Sequence, residues 1–162
     1  LRVDYGWLWI ERQGARPTAA DWPALDAPVT LAIPGDAALA DGWRVAARLL
    51  ARAALPADWA QAAQPRLAYL DAARLGASAL LRARQRGDWL VPLGMIGRQK
   101  VSDLLINARA PAACRERLPL LTVQGQVAWV LGVRSDQRYA VTEHTEQVCA
   151  LRVWREGEGD HD

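Results

Sequence analysis

Residue types that support catalysis or extracellular stability are scarce in this 162-residue sequence. Its two cysteines, Cys114 and Cys149, are too few for a disulfide framework, and we expect two free, buried thiols in a reducing compartment. No CxxC or HxxxH spacing occurs, so Cys114, His144 and Cys149 do not predict a zinc site. The only other histidine is His161, which leaves no set of nucleophile, base and metal ligands. We therefore predict no catalytic residue and no metal ligand in this chain.

Long apolar runs are also missing. No stretch of about 18 apolar residues occurs, and no basic segment followed by an apolar stretch opens the chain, so we expect a soluble, cytoplasmic protein without a membrane partner. Half of the residues are apolar and eight are tryptophan, enough to build a sizeable core. Because the chain begins at Leu1 and enters a strand-like run almost at once, we expect it to be a piece of a longer polypeptide.

Positive charge is concentrated in the middle of the sequence. Residues 1–81 carry eight basic and eight acidic side chains, whereas residues 82–138 carry ten basic and four acidic ones, a net charge of +6. Residues 139–162 carry a net charge of −4, so the total of +2 hides a polarised molecule. Clustered positive charge is typical of surfaces that bind polyanions, of which nucleic acid is the commonest, although it also occurs on solvated faces that have no partner.

The apolar pattern predicts a strand-rich chain. Strands are expected over 5–14, 28–35, 138–143 and 149–154, a strand and an Asp-initiated helical turn over 67–75, and a hairpin over 118–132 around Gln124-Gly125. Helical spacing favours a helix over 100–108 and a second helical turn over 112–118. Residues 42–53 are ambiguous, because their Ala and Leu favour helix while the preceding turn favours strand. The segment 78–88 alternates Leu81 and Ala83 with Arg82 and Arg84, which predicts one basic strand face.

Several motifs appear in a recognisable order. They are LRARQRGD, PLGMIG, RQKVSDLLINA, RERLPLL and VAWVLG, all within residues 78–134. In this order they resemble the C-terminal domain of tRNA(Ile)-lysidine synthetase. The flanking segments also fit, so the resemblance predicts one tRNA-binding domain over residues 1–155, followed by an acidic disordered tail over 156–162.

That resemblance implies a fold and a biological role. The expected fold is α/β, in its strand-rich α+β form: three layers around a β-sandwich of unusual topology with a few short helices, similar to a domain of the phenylalanyl-tRNA synthetase β subunit. The full-length enzyme of the family attaches lysine to cytidine 34 of tRNA(Ile) with anticodon CAU, using ATP and Mg, in an N-terminal domain. This chain has no Ser-Gly-Gly phosphate loop, so we expect it to be inactive alone and to hold no cofactor.

The implied partners are tRNA, chiefly its acceptor stem, and the N-terminal catalytic domain of the same polypeptide, with a homodimer left as an open alternative. The predicted tRNA-binding residues are Arg82, Arg84, Arg86, Arg98, Lys100, Arg115 and Arg117. Gly87, Gly94 and Gly97 are predicted to let the RNA backbone approach closely. Asp88 is expected to form a turn or to pair with an arginine, and Trp89 and Trp129 to lie in the core. The alternative is a protein-interaction module that docks on a separate catalytic domain.

Overall fold

The computed structural model describes residues 2–4, 7–9, 21–60 and 64–157. Within these ranges the chain forms thirteen β-strands and three short α-helices, and every pair of neighbouring strands is antiparallel. The first two strands, β1 (Arg2–Asp4) and β2 (Trp7–Trp9), pair only with each other. No helix in the described part of the chain is long and apolar enough to cross a membrane.

One sheet has four strands in the order β4-β5-β13-β6. They are β4 (Gly35–Ala38), β5 (Trp43–Ala51), β13 (Gln147–Arg155) and β6 (Leu67–Asp71). Its centre is the long pairing of β5 with β13, which runs from Trp43 opposite Arg155 to Ala51 opposite Gln147. This continuous ladder outweighs the helix preference of Ala and Leu in β5, because tertiary pairing routinely overrides intrinsic propensity.

A second sheet has five strands in the order β12-β11-β10-β7-β3. They are β12 (Arg134–Ser135), β11 (Gln126–Val130), β10 (Pro119–Val123), β7 (Ser78–Ala83) and β3 (Val29–Ala32). The β10–β11 hairpin turns at Gln124 and Gly125, both of which have positive φ. Two consecutive residues with positive φ are what a tight type I′ hairpin turn requires.

The two sheets face each other across the main core. Leu31 and Leu81 from the five-stranded sheet pack in one cluster with Val45, Leu70 and Leu151 from the four-stranded sheet. All five residues are fully buried, so the interface between the sheets excludes water. The molecule is therefore a β-sandwich, and its main stabilisation comes from apolar burial between the sheets.

A third layer covers the outer face of the five-stranded sheet. It contains two short strands, β8 (Trp89–Leu90) and β9 (Gln99–Lys100), and two helices, α2 (Val101–Asn107) and α3 (Ala112–Arg115). The remaining helix, α1 (Ala72–Leu75), directly follows β6. Leu90, Leu105 and Leu120 join the second buried cluster, which seals this layer against the sheet. The predicted strand-rich, three-layer arrangement around a β-sandwich is confirmed.

Most of the predicted secondary-structure elements that lie in the described residues are confirmed, and one is wrong. Strand 28–35, the strand and helical turn over 67–75, helix 100–108 and the hairpin over 118–132 are confirmed, and 42–53 is a strand. The strand predicted over 138–143 is wrong: Gln137–Tyr139 is a 3-10 turn, because the Asp136 side chain accepts a hydrogen bond from the Arg138 N–H and caps it. The predicted strand over 5–14 and tail over 156–162 lie largely outside the described residues.

Candidate functional site

The basic segment that follows β7 is organised by an ion pair. Arg82 is only 9% exposed, and its guanidinium donates to both oxygens of Asp88, at 2.8 and 3.0 Å. Burial alone would raise the pKa of Asp88, but the hydrogen bonds from Arg82 and the Gln85 N–H outweigh it and hold that pKa below 3.8. Arg82 is therefore occupied by a buried ion pair and is not available to a ligand. The prediction that Asp88 pairs with an arginine is confirmed.

The same carboxylate fixes a tight turn over Gln85–Asp88. The Gln85 N–H donates to Asp88 at 2.6 Å, and the Asp88 N–H donates back to the Gln85 carbonyl at 3.1 Å. Gly87 has φ +91°, which suits the third position of a type II turn, and no atom lies within 4 Å of the place of its missing Cβ. Arg86 is exposed at this turn. The turn thus displays Arg86 while Arg82 and Asp88 hold it from below.

A cleft of about 520 Å³ opens beside this turn. Its lining residues are Arg84, Gln85, Arg86, Gly87, Asp88, Lys100, Ser102 and Glu116, and we call it the basic cleft. Arg84 donates to Glu116 at 2.5 Å, whereas Arg86 and Lys100 are exposed and have no carboxylate partner among the described residues. Because Arg82 neutralises Asp88, the cleft presents three cations against one available carboxylate, Glu116. Such a cleft favours anions, with room for more than one phosphate group.

The prediction that Arg82 and Arg84 share one basic strand face is wrong. Strand β7 ends at Ala83, so Arg84 and Arg86 lie beyond it. Arg82 does alternate with the core residue Leu81, but its face of the sheet is covered by the third layer and Arg82 is opposite the buried Leu120. The predicted alternation of Leu81 with Arg82 is confirmed, but the sequence does not indicate that the sheet face carrying Arg82 is buried.

Two other predicted cations are engaged within the protein. The Arg115 Nε donates to the Ala110 carbonyl at 2.9 Å, which closes the loop before α3. Arg117 donates to Asp26 at 2.7 Å and to Asp41 at 3.0 Å, and these hydrogen bonds raise its pKa. Arg117 therefore ties the third layer to the N-terminal half of the chain, and neither residue lines the basic cleft.

Arg98 occupies a different environment. Its guanidinium lies 3.9 Å from the centre of the Trp89 ring, and the guanidinium of Arg138 lies 4.4 Å from the same ring. Arg138 is paired with the fully buried Asp136 at 2.8 Å, whereas Arg98 has no carboxylate partner in the described part of the chain. Trp89 is half-buried rather than a core residue, while Trp129, at 1% exposed, lies in the core as predicted.

The remaining predicted positions lie in the loop between β8 and β9. Gly94 has φ +85° and Gly97 has an ordinary φ, and both are exposed with open space around the missing Cβ. Sequence reasoning missed Glu116 and Ser102 as neighbours of the cleft cations. The signal available for Glu116 was that it is the lone acid between Arg115 and Arg117, but nothing in the sequence indicated that it would face Arg84.

Both cysteines are buried thiols that form no disulfide, as predicted. Burial raises the pKa of the Cys149 thiol to about 12 and also raises that of Cys114, so both stay protonated near neutral pH. Among the described residues no group of three His, Cys, Asp or Glu side chains is placed to hold a metal ion.

Together these features define a class: a three-layer, strand-rich sandwich domain with a basic cleft between a turn and a helix start. Residues 80–153 match the model of the family described as the TilS substrate C-terminal domain. These residues include every predicted cation and glycine of the site, so the family match covers the whole of the basic cleft.

Comparison with relatives extends the similarity beyond that range. The chain is 35% identical to the tRNA(Ile)-lysidine synthase of Symbiobacterium thermophilum, over 98% of this chain and 32% of the relative. It is 37% identical to the tRNA(Ile)-lysidine synthase of Parabacteroides distasonis, over 53% of this chain and 20% of the relative. The chain therefore spans about a third or less of the length of these relatives.

A solved structure has the same fold. The crystal structure of a TILS C-terminal domain superposes with a TM-score of 0.68, covering 81% of this chain and 99% of that one at 21% identity. The similarity places the β-sandwich and its outer layer in a known architecture.

Proposed function

We propose that this chain is a non-catalytic tRNA-recognition domain that binds an RNA stem through the basic cleft. The observation that carries the proposal is the grouping of Arg84, Arg86 and Lys100 around a glycine turn, with the Ser102 side chain beside them. An A-form stem hides its base edges in a deep, narrow groove, so proteins hold it through phosphates and 2′-hydroxyls. Guanidinium groups match phosphate oxygens, and a hydroxyl can bond either group.

The chain then serves a longer enzyme of the kind its relatives are named for. In that proposal a separate N-terminal domain uses ATP and Mg to attach lysine to cytidine 34 of tRNA(Ile), and this domain holds the acceptor stem. Support comes from the family match over residues 80–153 and from the fact that the chain matches only part of each relative. We expect the chain alone to form neither an adenylate nor lysidine when given ATP, lysine and tRNA.

Competition binding tests the proposed role. A minihelix of the acceptor and T arms should displace labelled tRNA(Ile) from the chain about as well as unlabelled tRNA does, whereas an anticodon stem-loop should displace it poorly. If no RNA binds, and the chain instead binds a purified catalytic domain, the protein-interaction alternative is the correct one. Displacement chiefly by the anticodon stem-loop would contradict the acceptor-stem role.

A further inference from the structure

The loop between β8 and β9 exposes an unusual amount of apolar surface. Leu93 is 42% exposed, Met95 51% and Ile96 100%, all within four residues; we call these three side chains the apolar tip. A fully exposed isoleucine contributes nothing to the core, and several apolar side chains grouped on a surface typically mark a binding site.

This exposure belongs to a well-anchored loop. The Leu93 N–H donates to the Ser135 carbonyl at 3.0 Å, and the Gly94 N–H donates to the Gln137 side chain at 2.7 Å. The Arg134 guanidinium in turn donates to the Leu93 carbonyl at 2.7 Å. Three hydrogen bonds to one neighbouring segment hold the base of the loop, so the tip is presented outward by a fixed support.

Positive charge follows the tip along the loop, because Arg98 comes two residues after Ile96. Arg98 ends the loop, stacked on Trp89 with no carboxylate partner among the described residues, and Trp89 is opposite Lys100 in the β8–β9 ladder. Lys100 lines the basic cleft, so the loop leads out of the cleft without a break. An occupant of this surface needs apolar faces for the tip and negative charge for Arg98 and Lys100.

We propose that the apolar tip and Arg98 bind unpaired nucleotides that adjoin the stem held in the basic cleft. Unpaired nucleotides offer both required features, because their bases have exposed faces and their phosphates are anionic, whereas base faces inside a stem are covered by stacking. Arg98, whose guanidinium lies over the Trp89 ring at 3.9 Å from its centre, suits either a phosphate or a base face. This inference rests on the proposed function and adds the single-stranded part of the RNA to it.

A second copy of the chain fits this surface less well. A symmetric contact between two tips would bring Arg98 and Lys100 of both copies together, and like charges across an interface oppose association. The charge around the tip therefore favours an anionic occupant over another copy.

Two RNA hairpins of identical stem sequence test the inference, one blunt and one with a four-nucleotide 3′ overhang, each titrated with the chain by fluorescence anisotropy. We expect the overhang to tighten binding about fivefold to tenfold, an effect within the range of one or two base-stacking contacts. The double variant Met95→Ser/Ile96→Ser should lose this preference and keep the blunt-stem affinity within about twofold, because it leaves the cleft cations in place. The matched control is Ile106→Ser, which removes an isoleucine 52% exposed on α2 and should keep the preference.

The outcomes separate the two proposals. Equal affinity for both hairpins in the parent chain, or an overhang preference that survives in the Met95→Ser/Ile96→Ser variant, would overturn the inference and leave stem binding intact. Failure to bind either hairpin would overturn the proposed function and this inference together. A dimer in sedimentation velocity that dissociates in the double variant would also overturn it, in favour of contact between two copies.

Discussion

At the scale of single residues, the availability of a cation depends on how deeply the cation and its carboxylate partner are buried. Arg82 and Arg86 are four positions apart, yet Arg82 is buried against Asp88 while Arg86 is exposed without a carboxylate partner in the described structure. Counting basic residues along the sequence treats the two as equal. The difference between them comes from the layer that covers the outer face of β7, and it assigns stability to one arginine and binding to the other.

This division predicts that the two arginines contribute very differently to stability. Arg82→Gln should lower the free energy of unfolding by about 3 kcal/mol, because it leaves Asp88 buried beside a neutral partner. Arg86→Gln should change it by less than about 0.5 kcal/mol, since its side chain is exposed. Urea denaturation followed by circular dichroism measures both, and equal effects of the two substitutions would contradict the assignment.

The pH dependence of the same pair has a definite sign. The folded-state pKa of Asp88 lies below 3.8, so its contribution is present above that pH and is lost as the pH falls through the lowered pKa. The difference in unfolding free energy between the parent and Asp88→Asn should therefore be full near neutral pH and shrink progressively below pH 3.8. A difference that stays constant over that acidic range would mean that the ion pair is not its source.

Substitution of Glu116 should increase the affinity of the cleft for RNA. It is the carboxylate that holds Arg84, at 2.5 Å, and in the free protein it competes with any phosphate for that guanidinium. Glu116→Gln should therefore tighten RNA binding about threefold at low salt, since removing one nearby negative charge favours an anionic ligand by roughly that amount. Glu143→Gln, an exposed acid outside the cleft, is the control for net charge. A loss of affinity in Glu116→Gln would show that Arg84 needs this partner to hold its position.

At the scale of elements, Asp136 joins β8, β12 and the 3-10 turn after β12. Its fully buried carboxylate accepts from the Val91 N–H at 2.9 Å, from the Arg138 N–H at 2.7 Å and from the Arg138 guanidinium at 2.8 and 2.9 Å. We expect Asp136→Ala to destabilise the fold by about 3 kcal/mol, because it leaves several donors without a partner. Asp103→Ala, on the exposed side of α2, should cost far less. Thermal unfolding of both variants decides this, and similar losses would contradict the role given to Asp136.

The elements that could be predicted from sequence are those with a local signal. Gln124-Gly125 between apolar runs marks a hairpin turn, and Asp71 marks a helical start, where its side chain accepts from the Ala73 N–H. Residues 138–143 have a strand-like pattern, but the capping contact from Asp136 makes Gln137–Tyr139 a 3-10 turn. The contact of Asp136 with the Val91 N–H, and the approach of Glu116 to Arg84, join segments far apart in sequence, so no local pattern indicates them.

At the scale of the whole molecule, the fold places only part of the positive charge of residues 82–138 at the basic cleft and its adjoining loop. Of the seven predicted binding cations, Arg82, Arg115 and Arg117 have partners within the protein and lie outside the lining of the cleft. The cleft retains Arg84, which is paired with Glu116, together with Arg86 and Lys100, and Arg98 lies in the adjoining loop. The order of motifs was enough to predict the fold and the family model that residues 80–153 match. It was not enough to separate structural from available cations, because that depends on which carboxylates and layers the tertiary structure brings near each one.

The salt dependence of stem binding tests the central claim most directly. If the four remaining cations neutralise about three to four phosphates, a slope of about −0.7 to −0.9 per phosphate predicts that affinity falls roughly 20-fold to 150-fold between 50 and 200 mM salt. Arg86→Gln should flatten the slope by about one unit, whereas Arg44→Gln, which removes a cation paired with Asp36 on the four-stranded sheet, should leave slope and affinity unchanged. An Arg86→Gln variant that keeps the parental slope and affinity would contradict the claim that the basic cleft binds RNA.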